Sequence, residues 1–128
     1  MMKARILVRG FAALFVLAAI AAAGPACGGA EQPAGSIKVT MSEFKFDPSS
    51  VDTKAGKVVL FVVNSGTVSH DLVVHDSAGA IVAQSSLVSA GKSAVLTIDN
   101  LPAGSYTIIC SVAGHADSGM KGTLTASP

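Results

Sequence analysis

Cys110, His115 and Met120 follow one another with the spacing C-x4-H-x4-M, and His70 stands forty residues before the first of them. One thiolate, two imidazoles and one thioether are the donors of a trigonal His₂Cys copper site with a weak axial methionine. Each type has its reason. The thiolate donates strongly and stabilises Cu(I), while giving Cu(II) a covalent bond. Imidazole suits both oxidation states, and a soft, distant thioether leaves the centre near trigonal in either. A site that fits both states reorganises little when an electron arrives or leaves. Taken singly, each of these residues would pass for core filler or surface. Their joint spacing on a β domain with one cysteine makes them a ligand set.

The elements around them must bring two distant segments together. Ile37, Val39 and Met41 alternate with Lys38 and Thr40, the period-two pattern of a half-buried strand. Phe44 and Phe46 continue with opposite parity, which predicts a bulge near Ser42-Glu43. A short piece around Val51 and a turn over Lys54–Lys57 lead to Val58–Val63, apolar on both faces and so expected as a central strand covered on both sides. Asn64-Ser65-Gly66 ends it. The spacing predicts a strand over His70–His75 with His70, Leu72 and Val74 on the more apolar face and Asp71, Val73 and His75 on the other. His75 is therefore read as a surface residue, and Met41 as core.

A turn over Asp76–Gly79, a strand or loose loop over Ala80–Leu87 and a strand over Ala94–Ile98 follow. Pro102-Ala103-Gly104 reads as a turn into the strand Ser105–Cys110. The loop Ser111–Met120 and a last strand Lys121–Thr125 complete the chain. Seven or eight short strands without an internal repeat predict an all-β, two-sheet Greek-key sandwich. Cys110 ends one strand and Met120 precedes the next, so a single loop can wrap three donors around one point while a neighbouring strand supplies His70.

Two segments resemble the cupredoxins, the type 1 (blue) copper proteins. Asn64–Val74 is similar to their first-histidine segment, and Pro102–His115 followed by Met120–Leu124 is similar to their carboxy-terminal copper loop. The similarity runs from about Ser36 to Ala126, with a loop spacing nearer to auracyanin and sulfocyanin than to plastocyanin. It implies an eight-stranded Greek-key sandwich, a single copper ion held near one end by His70, Cys110, His115 and Met120, and one-electron carriage between larger redox proteins. It also implies that the His115 imidazole edge reaches the surface. The small neighbours Ala113, Gly114 and Ala116 are then the docking surface, and His115 the exit for electrons.

Two departures from the family pattern stand beside the ligands. Asp71 follows the first histidine where many members have Asn, whose side chain ties the ligand strand to the copper loop. An aspartate there can accept from a hydroxyl such as that of Ser111. A negative charge so near the metal is expected to favour Cu(II) and lower the potential when it is neither solvated nor protonated. Ala113 occupies the position of a frequent proline, which is expected to make the loop less rigid.

Other chemistries fare worse. A nucleophilic Cys110–His115 pair needs an orienting group, for which Asp71 or Asp117 would serve, and an oxyanion hole, but nothing marks a substrate pocket. A trinuclear cluster would need His-x-His pairs, a binuclear centre a second thiolate, and copper nitrite reduction a second copper site. The chain is therefore read as no enzyme. The main alternative is a copper-binding or copper-delivery protein without an electron-transfer role, although sites that hand copper on tend to be open and rich in Met or His. A metal-free adhesion sandwich would leave Cys110, His115 and Met120 free to vary.

Residues 1–26 read as an export signal. Lys3, Arg5 and Arg9 precede a thirteen-residue apolar run, Phe11–Ala23, too short to span a bilayer comfortably. Gly24-Pro25-Ala26-Cys27 is similar to a bacterial lipobox, with Gly24 where a large aliphatic residue is usual; Cys27 would then carry a lipid anchor to the membrane. Alternatively cleavage falls within the alanine run and leaves Cys27 an ordinary residue. Residues 27–35 read as a flexible tether and 36–128 as the domain. Beyond the signal, six lysines stand against eight carboxylates, a net charge of −2. That weak field, with no basic stripe and five phenylalanines and one tyrosine in the whole chain, excludes nucleic acid as a partner.

The domain keeps a single cysteine, Cys110, and a lone thiol in an oxidising compartment is a liability unless a metal occupies it. The expected protein is a monomer in the bacterial periplasm or cell envelope. It docks transiently with redox proteins such as cytochromes or membrane oxidoreductases.

Overall fold

The structure is a computed structural model that describes residues 29–128. The export signal and Cys27 lie outside the described residues. Among the described residues nine strands form two sheets. The first sheet has the order β2(Lys45–Asp47), β1(Ile37–Ser42), β4(Gly56–Asn64), β7(Ser93–Leu101). The second has the order β3(Ser50–Lys54), β9(Lys121–Ser127), β8(Gly104–Ile109), β5(Val73–His75), β6(Ile81–Gln84). The pairs β1–β4 and β3–β9 are parallel and the rest antiparallel. This is the expected two-sheet sandwich, with one or two more strands than the seven or eight anticipated because β2 and β3 are separate short elements.

Alternation along the strands builds the core. Val39 and Met41 of β1, Val58, Leu60 and Val62 of β4, and Leu96 and Ile98 of β7 face Val51, Leu72, Val74, Tyr106, Ile108, Leu124 and Ala126 across the sandwich, all buried. On β4 the opposite face is only partly covered. Phe61 is buried there, but Val59 and Val63 are half-buried. Part of the cover is the segment leading into the domain: Ala30 donates its N–H to the Ser93 carbonyl at 3.2 Å and accepts from the Ser93 hydroxyl at 2.6 Å. Together with Lys38, Lys92, Phe61 and Val63 it lines a recess of about 260 Å³. Ala30, within the stretch read as a tether, thus lies against the first sheet. At the far end of the sandwich the Tyr106 hydroxyl donates to the Pro102 carbonyl at 2.7 Å and fastens the β7–β8 turn.

Two local expectations change. Ser42-Glu43 is not a bulge, because Ser42 pairs with Lys45 and Met41 with Phe46, so Glu43-Phe44 is the two-residue tip of a hairpin. The parity switch from Met41 to Phe44 records a reversal of the chain. The strand expected over His70–His75 is regular only from Val73. His70 makes an isolated antiparallel bridge with Val88, and Leu72 donates to the Ser85 hydroxyl while its carbonyl accepts the Ser85 N–H. All residues from His70 to Val74 are buried, so no polar face exists there. Both Asp71 and His70 sit inside the protein, and His75 is half-buried with its Nδ1 at 3.0 Å from the Gly79 carbonyl.

Candidate metal centre

His70 is carried by the loop that leaves β4. Asn64, the last residue of that strand, is fully buried and organises the loop. Its amide nitrogen donates to the carbonyls of Val68 at 2.7 Å and Val88 at 2.8 Å, and its Oδ1 accepts the Gly66 N–H at 2.9 Å. The His70–Val88 bridge then sets the backbone of the ligand itself, with N–H to carbonyl distances of 3.1 and 2.8 Å. A buried side chain with all its polar atoms satisfied rigidifies what it touches. Among the described residues every buried side-chain nitrogen and oxygen has a partner.

The other donors come from one closed loop. Cys110 follows β8 and Met120 precedes β9, both buried, and the Cys110 N–H donates to the Met120 carbonyl at 3.2 Å. The Met120 N–H donates to the His115 carbonyl at 3.0 Å, and the His115 N–H to the Val112 carbonyl at 3.0 Å. Between them Gly114 takes φ +80°, a left-handed conformation that favours glycine and turns the chain into His115. The loop is tied to the His70 segment by Asp71. Its Oδ1 accepts the Ser111 N–H at 2.6 Å, and its Oδ2 accepts both the Ser111 hydroxyl and, at 3.1 Å, the Gln84 amide. The expected Asp71–Ser111 contact is present. Gln84, from the edge strand β6, is an additional partner.

These supports bring three donor atoms together. His70 Nδ1 and His115 Nδ1 are 3.1 Å apart, and Cys110 Sγ lies 3.9 Å from the first and 3.5 Å from the second. A triangle with those sides has its vertices about 2 Å from a common centre, close to the length of a metal–imidazole bond. Burial pushes the Cys110 thiol up, against the pull of the Asp71 and Val112 N–H groups on its sulfur. A metal that takes the thiolate therefore has to displace a proton. His70, Cys110, His115 and Met120 are the four residues read as ligands. The first three converge on one point, and Met120 is buried in the loop that carries Cys110 and His115.

Three further residues were not recognised in the sequence. Glu43, at the β1–β2 hairpin tip, has Oε1 at 3.3 Å from His70 Nε2. The same oxygen accepts the N–H groups of Thr67 at 2.7 Å and Val68 at 3.0 Å. Those contacts, the Val68 N–H first, hold its carboxyl down at about 2. The next residue, Phe44, stands edge-on to the His115 ring, with centroids 4.9 Å apart, and keeps 39% of its surface exposed. Val68, 44% exposed, is held to the same hairpin tip by its bond to Glu43. The only signal available was the parity change at Phe44, which fits a hairpin as well as a bulge.

A buried cysteine, two imidazoles facing it and each other through Nδ1, and a buried thioether at the end of an antiparallel-rich sandwich define a type 1 copper protein. The comparisons with known proteins agree. The cupredoxin-like domain family matches residues 10–126, and the chain belongs to that family. The structure is similar to auracyanin B, with a TM-score of 0.67, 27% identity, and 79% of this chain and 97% of that one covered. It shares its fold with the dithionite-reduced auracyanin of the photosynthetic bacterium Roseiflexus castenholzii, with a TM-score of 0.66, 21% identity, and 73% and 97% covered. Among curated proteins it is 28% identical over 119 residues to the copper-resistant cuproprotein CopI of Rubrivivax gelatinosus, covering 76% of this chain and 69% of that one. Copper is the cofactor that this family and this donor set take.

Proposed function

We propose that this protein is an exported carrier of single electrons, with copper held by His70, Cys110, His115 and Met120, and is not an enzyme. The observation that carries this reading is the closed, unequal ligand set. His70, Cys110 and Met120 are each no more than 1% exposed, whereas His115 is partly exposed. Bound copper supplies a one-electron couple. The chain supplies rigid donors on three sides and a single imidazole toward solvent.

The proposed docking surface is the expected patch of Ala113, Gly114 and Ala116 around His115, enlarged by Phe44 and Val68. Ala113, Gly114, Phe44 and Val68 are exposed and Ala116 half-buried. Small and apolar side chains around His115 allow close approach to the imidazole edge. They also suit the small, weak interface of a monomeric carrier that releases its redox partner, a cytochrome or a membrane oxidoreductase, after each transfer. Residues 1–26 act as the export signal, and Cys27 is the position at which a lipid would anchor the domain in the cell envelope.

The likeness to CopI favours one other reading, a role in copper handling. The two separate on a spectrum and a reaction. The copper-loaded protein is expected to show an intense visible band at one copper per chain, absent in Cys110→Ser and bleached reversibly by a mild reductant. Colourless binding that Cys110→Ser leaves intact would remove Cys110 from the ligands and the electron carrier with it.

A further inference from the structure

We infer that Glu43 is a positioning residue of the copper centre: its carboxylate fixes the His70 imidazole with Nδ1 toward the metal and strengthens that nitrogen as a donor to the oxidised ion. The inference rests on the copper reading above and assigns a role to a residue outside the ligand set. The first support is the tautomer. An imidazole nitrogen facing a carboxylate oxygen donates its hydrogen, so the 3.3 Å contact places the proton on Nε2. Nδ1 is then bare, and it is the nitrogen that faces His115 Nδ1 and Cys110 Sγ.

The second support is that Glu43 is itself held in place. Its Oε1 collects the N–H groups of Thr67 and Val68 as well as the Thr67 hydroxyl at 3.4 Å, so it cannot swing into solvent without leaving three donors behind. The backbone approaches to receive it. A Cβ at Gly66 would stand 2.8 Å from Glu43 Cδ and 2.8 Å from Oε2, so the absence of a side chain there is what lets the loop close over the carboxylate. His70 is fully buried while 30% of the Glu43 side chain is exposed, so the imidazole half of the contact lies out of water and the carboxylate half reaches it.

A carboxylate behind a metal-bound imidazole orients the ring and raises its basicity, and removing such partners typically costs about 10–100-fold in metal affinity. The effect is larger on Cu(II) than on Cu(I), because the more highly charged ion gains more from a stronger donor. Glu43 therefore adds to Asp71 on the side of the oxidised state, through the imidazole of His70.

The test compares wild type, Glu43→Ala and Glu43→Gln by reduction potential, visible spectrum and ¹⁵N spectra of His70 in the metal-free and Cu(I) proteins. Glu43→Ala is expected to weaken Cu(II) binding relative to Cu(I) about tenfold, an upward shift of about 59 mV for one electron. It is also expected to release the Nε2–H from its single protected form. Glu43→Gln can still accept from Nε2–H and from the loop; it is expected to keep the fold, the visible band and the tautomer while moving the potential part of the way. Loss of stability in either variant with potential and tautomer unchanged would overturn the inference and leave Glu43 as a loop fastener. A wild-type protein that develops no visible band would instead remove the electron-carrier reading, and the His70 tautomer in the metal-free protein would still decide for or against Glu43.

Discussion

The two histidines of the site are built in opposite ways. His70 is fully buried, bridged through its backbone to Val88, backed by Glu43 and carried on a loop that Asn64 staples. His115 is half-buried on a loop of small residues, with Gly114 before it, Ala116 after it and the edge of Phe44 against its ring. One ligand is held from behind by polar contacts and the other is left open to the surface. On the electron-carrier reading proposed above, the contrast divides the labour: geometry is kept on the buried side, and access is concentrated on the side assigned to docking.

The sharpest way to break this comparison is to delete each imidazole in turn. His115→Gly is expected to lose the visible band and regain it with added imidazole, because the vacated position opens to solvent. His70→Gly is expected to lose the band without rescue, since His70 is 0% exposed. Equal rescue, followed by absorbance during imidazole titration, would show that the two sides do not differ in access.

A second test weakens the support on the His70 side alone. Asn64→Ala strands the Val68 and Val88 carbonyls and the Gly66 N–H, and should cost about 2–3 kcal/mol in denaturant unfolding of the metal-free protein. A loss under about 0.5 kcal/mol, the size of an ordinary surface change, would mean that the loop holds its shape without Asn64.

The smallest change is on the open side. Ala116→Glu places a charge beside the His115 imidazole, the proposed exit, and is expected to slow electron exchange with a redox partner by about tenfold through rim electrostatics while the visible spectrum stays as in wild type. A changed spectrum would make Ala116 a support of the site and not part of the docking patch.

The same contrast explains what could be read from the residues alone. The loop donors were legible because Cys110, His115 and Met120 lie within eleven residues, so their spacing carries the geometry. The sandwich was legible from alternation in β1, from the apolar run of β4, and from the turn residues that bound β7 and β8. The His70 side was less so. Its strand begins three residues later than alternation suggests, because the backbone groups of Leu72 go to Ser85 and not to a regular ladder. Asn64 read only as a strand end, although its side chain organises the whole loop. Glu43 lies 27 residues from His70 and reaches it only because the chain reverses at the β1–β2 tip, a reversal that parity alone does not distinguish from a bulge.

That hairpin tip has a consequence for how the family member can vary. Two-residue turns between strands are ordinarily where insertions and deletions are absorbed without effect. Here the two residues of the turn touch the two different imidazoles, Glu43 against His70 and Phe44 against His115. One residue added or lost at this position would disturb the orientation of the buried ligand and the approach to the exposed one in a single event. The length of this turn is therefore under tighter constraint than the identity of either residue in it.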